Sequence, residues 1–132
     1  MKSKLLLIGL VAVTLMTLTA CTSNAKEVSV NESSSGKQVE IAVDGTLIVT
    51  LESNSTTGYS WELKNIVDTT ILQKIGNVYL APTTTLVGAG GKEVWNFKAL
   101  KAGTTTLTME YNRPWESDSP AAESFTLTVV VK

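Results

Sequence analysis

The sequence has 132 residues, with 11 lysine and arginine residues, 12 aspartate and glutamate residues, one cysteine and no histidine. This balanced charge provides no basic face for phosphates, so a nucleic-acid partner is not expected. Without histidine, the chain cannot form a Ser-His-Asp triad, a Cys-His pair or a histidine-ligated metal site. We therefore predict neither enzymatic activity nor a bound metal or cofactor. One cysteine cannot form an intramolecular disulfide, so the fold depends on hydrophobic packing.

Residues 1–20 have the features of a secretory signal peptide. Residues 1–4 contain two lysines, residues 5–18 are largely apolar, and small residues precede Cys21. The apolar stretch is shorter than the ~20 residues that a membrane-spanning helix needs. Leu-Thr-Ala-Cys at residues 18–21 resembles a bacterial lipoprotein box, which implies that Cys21 is acylated and anchors an exported protein to the cell envelope. The alternative is an ordinary signal peptide followed by an incidental cysteine.

The segment after the cysteine is predicted to be a tether. Residues 21–37 are rich in serine, asparagine, glutamate and lysine and have few large apolar side chains, a composition typical of flexible chain. Residues 38–132 are enough for one domain with a hydrophobic core and too few for two. The predicted organisation is therefore a signal peptide, a lipidated tether and one folded domain. Nothing in the sequence requires a second copy of the chain, so we predict a monomer.

From residue 38 onward, apolar residues recur mostly at every second position, which is the pattern of strands with one buried face. Asp44-Gly45 is a tight-turn signal. Trp61 and Trp95 lie in phase with the buried face, so we predict that both are core residues. Seven strands are predicted, at residues 39–43, 46–51, 60–64, 71–80, 93–99, 106–111 and 124–131. Seven strands without a convincing amphipathic helix predict an all-β, immunoglobulin-like sandwich.

Three polar or glycine-rich segments follow the second, fourth and sixth predicted strands. They are Asn54-Ser55-Thr56-Thr57-Gly58-Tyr59, Gly88-Ala89-Gly90-Gly91 and Arg113-Pro114-Trp115-Glu116. If every connection reverses the chain direction, all three lie at the same end of the sandwich. Loops gathered at one end form the binding surface of antibody variable domains. The sequence therefore predicts a binding function located in these loops.

The three segments resemble the motifs of the chagasin-type inhibitors of papain-family cysteine proteases. The motifs of that family are Asn-Pro-Thr-Thr-Gly-aromatic, Gly-x-Gly-Gly and Arg-Pro-Trp, in this order. The resemblance covers essentially residues 38–132 and departs at Ser55, where the family usually has proline. One such motif is weak evidence, but three in order on an exported all-β chain are specific.

The resemblance implies a reversible, noncovalent inhibitor whose partner is a papain-family cysteine protease. Thr56 and Thr57 would approach the catalytic cysteine and histidine of the protease, while the other two loops grip the cleft on either side. Leu86 would add an apolar contact beside the glycine-rich segment. The protease-binding residues implied in this way are Asn54, Ser55, Thr56, Thr57, Gly58, Tyr59, Leu86, Gly88, Ala89, Gly90, Gly91, Arg113, Pro114 and Trp115.

Individual residues in these loops have an alternative structural interpretation. The glycines of the second segment can simply permit a flexible crossover. Trp115 lies outside the strand alternation and beside Arg113, which is the profile of an interface hot spot, but it can also fold back as a cap on the sandwich. Ser55 in place of proline is expected to loosen the first loop, because proline restricts the unbound ensemble by ~0.4–1 kcal/mol.

Two functions from other classes compete with protease inhibition. An immunoglobulin-like adhesion or scaffolding domain would use the same loops for another partner, and the fold does not separate it from an inhibitor. A carbohydrate-directed module or hydrolase would use Trp115 for stacking and Glu116 and Asp118 as acid and base. These two carboxylates lie on one loop, where solvated surface charges are the ordinary interpretation.

Overall fold

The computed structural model describes residues 25–116 and 118–132. The predicted signal peptide and the predicted lipidation site Cys21 lie outside these residues. The described part of the chain contains eight strands and two single-turn 3-10 helices, Glu32–Ser34 and Ser55–Thr57. The strands are β1 Glu27–Val30, β2 Lys37–Ile41, β3 Thr46–Ser53, β4 Ser60–Ile66, β5 Leu72–Leu80, β6 Gly91–Ala99, β7 Gly103–Asn112 and β8 Glu123–Val131. Within this part, no helix is long and apolar enough to span a membrane.

The strands form two four-stranded sheets that pack face to face. The first sheet has the order β1-β3-β6-β5, and the second has the order β2-β8-β7-β4. Alternate residues of β3, β6, β7 and β8 face the other sheet, so that the period of two in the sequence becomes a buried layer. Phe97, Phe125, Leu107 and Met109 are among the largest fully buried side chains of this layer. The prediction of an all-β, immunoglobulin-like sandwich is confirmed.

Both tryptophans predicted to lie in the core are buried. Trp61 on β4 is 5% exposed and Trp95 on β6 is 4% exposed. The predicted irregular strand at residues 71–80 is β5, whose pairing with β6 shifts between Lys74 and Gly76. Such a bulge leaves the extra residue Ile75 outside the regular alternation, which is why the sequence pattern breaks there.

The prediction of a flexible tether through residue 37 needs correction. Residues Glu27–Val30 form β1, which pairs in parallel with the first half of β3, and a 3-10 helix follows at Glu32–Ser34. Val30 is the one residue of this strand that is buried. β1 is only four residues long, so the alternation of its two valines, Val28 and Val30, is too short for sequence analysis to identify a strand.

The strand directions place the three predicted binding segments at one end of the sandwich. They lie in loop 1 (residues 54–59, after β3), loop 2 (residues 81–90, after β5) and loop 3 (residues 113–122, after β7). β6 is antiparallel to both β3 and β5, so β3 and β5 end on the same side. We call this end the loop pole. Each loop comes one strand later than predicted, because β1 precedes the seven predicted strands.

Candidate functional site

Loop 1 is built around the short 3-10 helix Ser55–Thr57. The side-chain Oδ1 of Asn54 caps this helix by accepting hydrogen bonds from the backbone N of Thr56 at 3.2 Å and from its Oγ1 at 2.6 Å. The Oγ1 of Thr57 donates to the backbone carbonyl of Asn54 at 2.7 Å. Gly58 ends the helix in the left-handed region, with φ of 80°. Both threonines remain exposed, and local hydrogen bonds fix their orientation before any partner arrives.

Loop 2 is joined to loop 1 by a side-chain hydrogen bond. The Nδ2 of Asn54 donates to the carbonyl of Gly88 at 3.0 Å, so one asparagine holds both loops. Gly88 has φ of 80° and follows two apolar residues at the tip, Leu86 and Val87. The side chain of Leu86 is 75% exposed and that of Val87 is fully exposed. Sequence analysis named Leu86 but missed Val87, whose position directly before the glycine motif was the available signal.

Gly91 differs from the other glycines of the second motif. It is the first residue of β6, pairs with Ser53 and is buried, so it lies in the sheet and not in the exposed loop. A Cβ atom at this position would lie 2.6 Å from the hydroxyl of Tyr79 and would also collide with the carbonyl of Leu80. Close packing against β5 therefore explains the glycine at this position, and its predicted contact with a protease stays a prediction.

Loop 3 is joined to loop 1 mainly through Arg113. Its Nε donates to the carbonyl of Thr57 at 3.1 Å, and its guanidinium lies 4.5 Å from the ring centre of Tyr59. Its Nη1 also contacts the Oε1 of Glu116 at 3.2 Å. The prediction assigned Arg113 to protease contact alone, whereas in the structure this side chain has three partners within loops 1 and 3. Arg113 therefore braces loop 1.

Trp115 is the most exposed aromatic side chain among the described residues. It is 68% exposed, so it does not fold back as a buried cap on the sandwich. Its ring lies beside Gly58, where a Cβ atom would be 3.0 Å from the Cζ2 of Trp115. Pro114 beside it is also exposed. The loop pole therefore presents a large aromatic surface next to the exposed threonines of loop 1.

Three aromatic rings support the loops from below. The rings of Tyr59 and Tyr111 stack with centroids 5.3 Å apart, and Tyr111 lies 5.1 Å from Trp61. The hydroxyl of Tyr111 accepts a hydrogen bond from the backbone N of Asn54 at 2.9 Å. With Arg113 over Tyr59, this stack connects the exposed loop surface to the buried core. Sequence analysis placed Tyr111 at the end of a strand and assigned it no role.

The remaining candidate chemistry at the loop pole is limited. A depression of about 510 Å³ lies beside loop 1 and is lined by Glu32, Glu52, Lys92 and Glu123 among others. Within residues 25–116 and 118–132, no group of three or more histidine, cysteine, aspartate or glutamate residues is arranged to hold a metal ion. The loop pole presents exposed backbone groups, the two threonines of loop 1 and one exposed tryptophan.

The sequence of this chain matches a known protein family. The family model of the chagasin family peptidase inhibitor I42 matches residues 40–129. The chain belongs to the chagasin family. This family consists of peptidase inhibitors, so the predictions of a chagasin-type protein and of a protein that is not an enzyme are confirmed.

Individual relatives of the chagasin family agree with this assignment. The chain is 31% identical to chagasin of Trypanosoma cruzi over 101 residues, which cover 74% of this chain and 92% of chagasin. It is 28% identical to amoebiasin-2 of Entamoeba histolytica over 113 residues, which cover 85% of this chain and 92% of that protein. The crystal structure of a cysteine protease inhibitor from Entamoeba histolytica superimposes with a TM-score of 0.73 at 26% identity, covering 80% of this chain and 96% of that one.

Proposed function

We propose that this chain is a reversible, noncovalent inhibitor of papain-like cysteine proteases, and that it closes the active-site cleft with its three loops. The observation that carries the proposal is the joining of the loops into one surface. Asn54 binds loop 2 and Arg113 binds loop 1, each through a side-chain hydrogen bond of 3.0–3.1 Å. A surface that is fixed before binding loses less conformational entropy on association than three independent loops would.

Each loop has a distinct part in this proposal. Loop 1 presents Thr56 and Thr57 to the catalytic centre, where side chains with internally satisfied hydroxyls block access without reacting. Loop 2 provides backbone groups around Gly88 that can pair with the cleft as an added strand does, with Leu86 and Val87 as apolar contacts. Loop 3 provides Trp115, which is exposed before binding and can bury a large apolar area on the protease.

A titration of papain with residues 22–132 of this chain tests the proposal. We expect stoichiometric loss of activity against a fluorogenic peptide, and the activity should return on dilution because no covalent bond forms. Unchanged papain activity at micromolar protein would overturn the proposal and favour an adhesion or scaffolding role for the loops. Serine proteases serve as the specificity control and are expected to stay active.

The contribution of loop 3 is tested by Trp115→Ala. We expect the complex with papain to weaken by about 2 kcal/mol, which is about 30-fold, with the melting temperature unchanged. Val67→Ala is a matched control, because Val67 is also 68% exposed and lies outside the three loops. An equal effect of the two substitutions on binding, or a large drop in stability for Trp115→Ala, would contradict the anchor role.

We further propose that the protein is exported and anchored to the bacterial cell envelope by a lipid on Cys21, as a monomer. Leu-Thr-Ala-Cys at residues 18–21 supports this proposal. A second support is the place where the folded domain begins: Glu27 of β1 pairs with Thr46, at the end of β3 opposite to loop 1. A lipid on Cys21 would therefore leave the loop pole directed away from the membrane.

Cell fractionation after expression in a bacterium tests the anchor. We expect the native chain in the membrane fraction, with a mass increase at Cys21, and Cys21→Ser in the soluble fraction. Thr22→Ala is the matched control and should behave as the native chain. A native chain in the soluble fraction, without added mass at Cys21, would contradict the lipid anchor and favour an ordinary signal peptide. Size-exclusion chromatography of residues 22–132 tests the monomer.

A further inference from the structure

Glu93 is a buried carboxylate to which the motifs assign no role. It lies on the inward face of β6 and is 6% exposed, in a row that continues with Trp95 and Phe97. Burying a carboxylate among apolar residues is costly unless hydrogen bonds compensate for the lost water. Glu93 therefore needs a specific partner, and that partner is a backbone group of the other sheet.

The Oε2 of Glu93 accepts a hydrogen bond from the backbone N of Trp61 at 3.0 Å. Trp61 lies on β4, which is the edge strand of the second sheet and has β7 as its neighbour. Along such an edge, alternate N–H groups point away from the neighbouring strand and lack a strand partner. Glu93 supplies the acceptor from the first sheet, so its carboxylate links the two sheets near loop 1.

The indole of Trp61 extends this link to the other end of loop 1. Its Nε1 donates to the carbonyl of Glu52 at 2.9 Å, two residues before Asn54. Trp61 itself follows the last residue of loop 1, Tyr59, by two positions. Both ends of loop 1 are therefore held by one tryptophan, and the backbone of that tryptophan is held by Glu93.

We propose that Glu93 is a positioning residue for inhibition, because it fixes Trp61 and thereby the separation of the two ends of loop 1. The inference rests on the proposed function, in which Thr56 and Thr57 act as a preformed wedge. Glu93 is too deeply buried to touch the protease, so its effect is carried by the conformation of loop 1. A carboxylate is suited to this place because it accepts strongly from a backbone N–H.

Two substitutions of Glu93 separate the effect of its hydrogen bond from the effect of its side-chain volume. Glu93→Leu removes the acceptor with similar volume, and Glu93→Gln keeps an acceptor oxygen without the charge. We expect Glu93→Leu to weaken papain inhibition about 10-fold, and Glu93→Gln to restore most of it. Amide hydrogen exchange of residues 55–59 in the free protein should be faster in Glu93→Leu and close to native in Glu93→Gln.

A purely structural role predicts a different result. Val131→Ala, a core substitution at the end of β8 far from loop 3, lowers stability by loss of packing alone. It should lower the melting temperature and leave papain inhibition and loop 1 exchange unchanged. If Glu93→Leu, measured well below its melting temperature, behaves like Val131→Ala in these two measurements, the proposal is wrong.

Trp61→Phe provides a second test that does not require Glu93→Leu to fold. It keeps an aromatic ring, although a smaller one, and the backbone N–H, but it removes the indole donor to Glu52. Faster exchange of loop 1 and weaker inhibition are expected, and native values of both would overturn the proposal. If the native chain itself fails to inhibit papain, the proposed function fails, whereas loop 1 exchange in the free protein still decides whether Glu93 positions that loop.

Discussion

Gly58 has two separate reasons to lack a side chain. Its φ of 80° is unfavourable for any residue with a Cβ atom, and the ring of Trp115 occupies the space that a Cβ atom would take. The first reason concerns the stability of loop 1, and the second concerns the placement of Trp115. Because Trp115 is exposed, its ring can move aside, so a substitution at Gly58 displaces the proposed anchor.

Gly58→Ala is therefore expected to affect both stability and inhibition. The free energy of unfolding should fall by about 1 kcal/mol through backbone strain, and papain inhibition should weaken about 10-fold through displacement of Trp115. Gly36→Ala is the matched control, because Gly36 has φ of 79° and open space around it. Chemical denaturation and inhibition assays of both variants check this prediction. Equal inhibition by the two variants would show that the contact between Gly58 and Trp115 does not position the anchor.

The exposure of a single residue was predictable where that residue lies outside the strand alternation. Trp115 was expected to be exposed for that reason, and it is. The partners of Arg113 were not predictable, because Thr57 and Tyr59 are more than 50 positions away in the sequence. Which side of loop 3 an arginine faces depends on the packing of the two sheets, and no local pattern records it.

At the scale of elements, the backbone of loop 1 around Ser55 can be compared with the geometry that proline requires at this position. Ser55 is the first residue of the 3-10 helix, and Asn54 before it is extended, with φ of −115° and ψ of 96°. Proline is favoured at the first position of a helix and requires an extended residue before it. The local geometry of loop 1 therefore matches the proline motif of the family even though the proline is absent.

Ser55→Pro is expected to tighten inhibition of papain. Proline would reduce the conformations of the free loop, worth ~0.4–1 kcal/mol, which corresponds to about 2-fold to 5-fold in the inhibition constant. The gain should appear together with slower hydrogen exchange at Thr56 and Thr57. Ser55→Ala, which removes the serine hydroxyl without adding a proline ring, is the matched control and is expected to inhibit as the native chain does. Weaker inhibition by Ser55→Pro would show that the serine is required.

The strands themselves were predictable to different degrees. β6, β7 and β8 each bury every second side chain over most of their length, and this alternation is visible in the sequence. β1 has only four residues, with Val30 buried and Val28 partly buried, so the sequence does not distinguish it from a flexible segment. The difference arises because alternation over nine or ten residues is a clear sequence pattern and alternation over four residues is not.

At the scale of the whole molecule, the charges predict little response to pH near neutrality. The hydrogen bonds from Lys64 and then Asn112 lower the pKa of Glu62, and those from Thr70 lower the pKa of Asp68. The hydrogen bond to Glu62 raises the pKa of Lys64. These shifts move the pKa values of all three groups further from 7. The chain also has no histidine, the side chain that ordinarily titrates between pH 5 and 8.

The melting temperature is therefore expected to agree within about 3 °C between pH 5.5 and pH 8. A carboxyl group with a lowered pKa in the folded protein stabilises the fold at pH values above its pKa in the unfolded chain, which is about 4. This stabilisation is lost as the pH falls through the lowered pKa of the folded protein. The raised pKa of Lys64 stabilises the fold below about pH 10 and loses its effect as the pH rises beyond that value. Thermal melts across this range, with pH 3 as the positive control, check the prediction. A clear transition between pH 5.5 and pH 8 would contradict it.

The sequence by itself determined the fold class, the family and the three segments that carry its motifs, because alternation and motif spelling are local properties. Tertiary structure decided which of these residues meet. Asn54 joins loop 1 to Gly88, Arg113 joins loop 3 to Thr57, and Glu93 holds Trp61 from the opposite sheet. Each of these hydrogen bonds spans at least 32 positions, and it forms because strand pairing and sheet packing bring the two partners together.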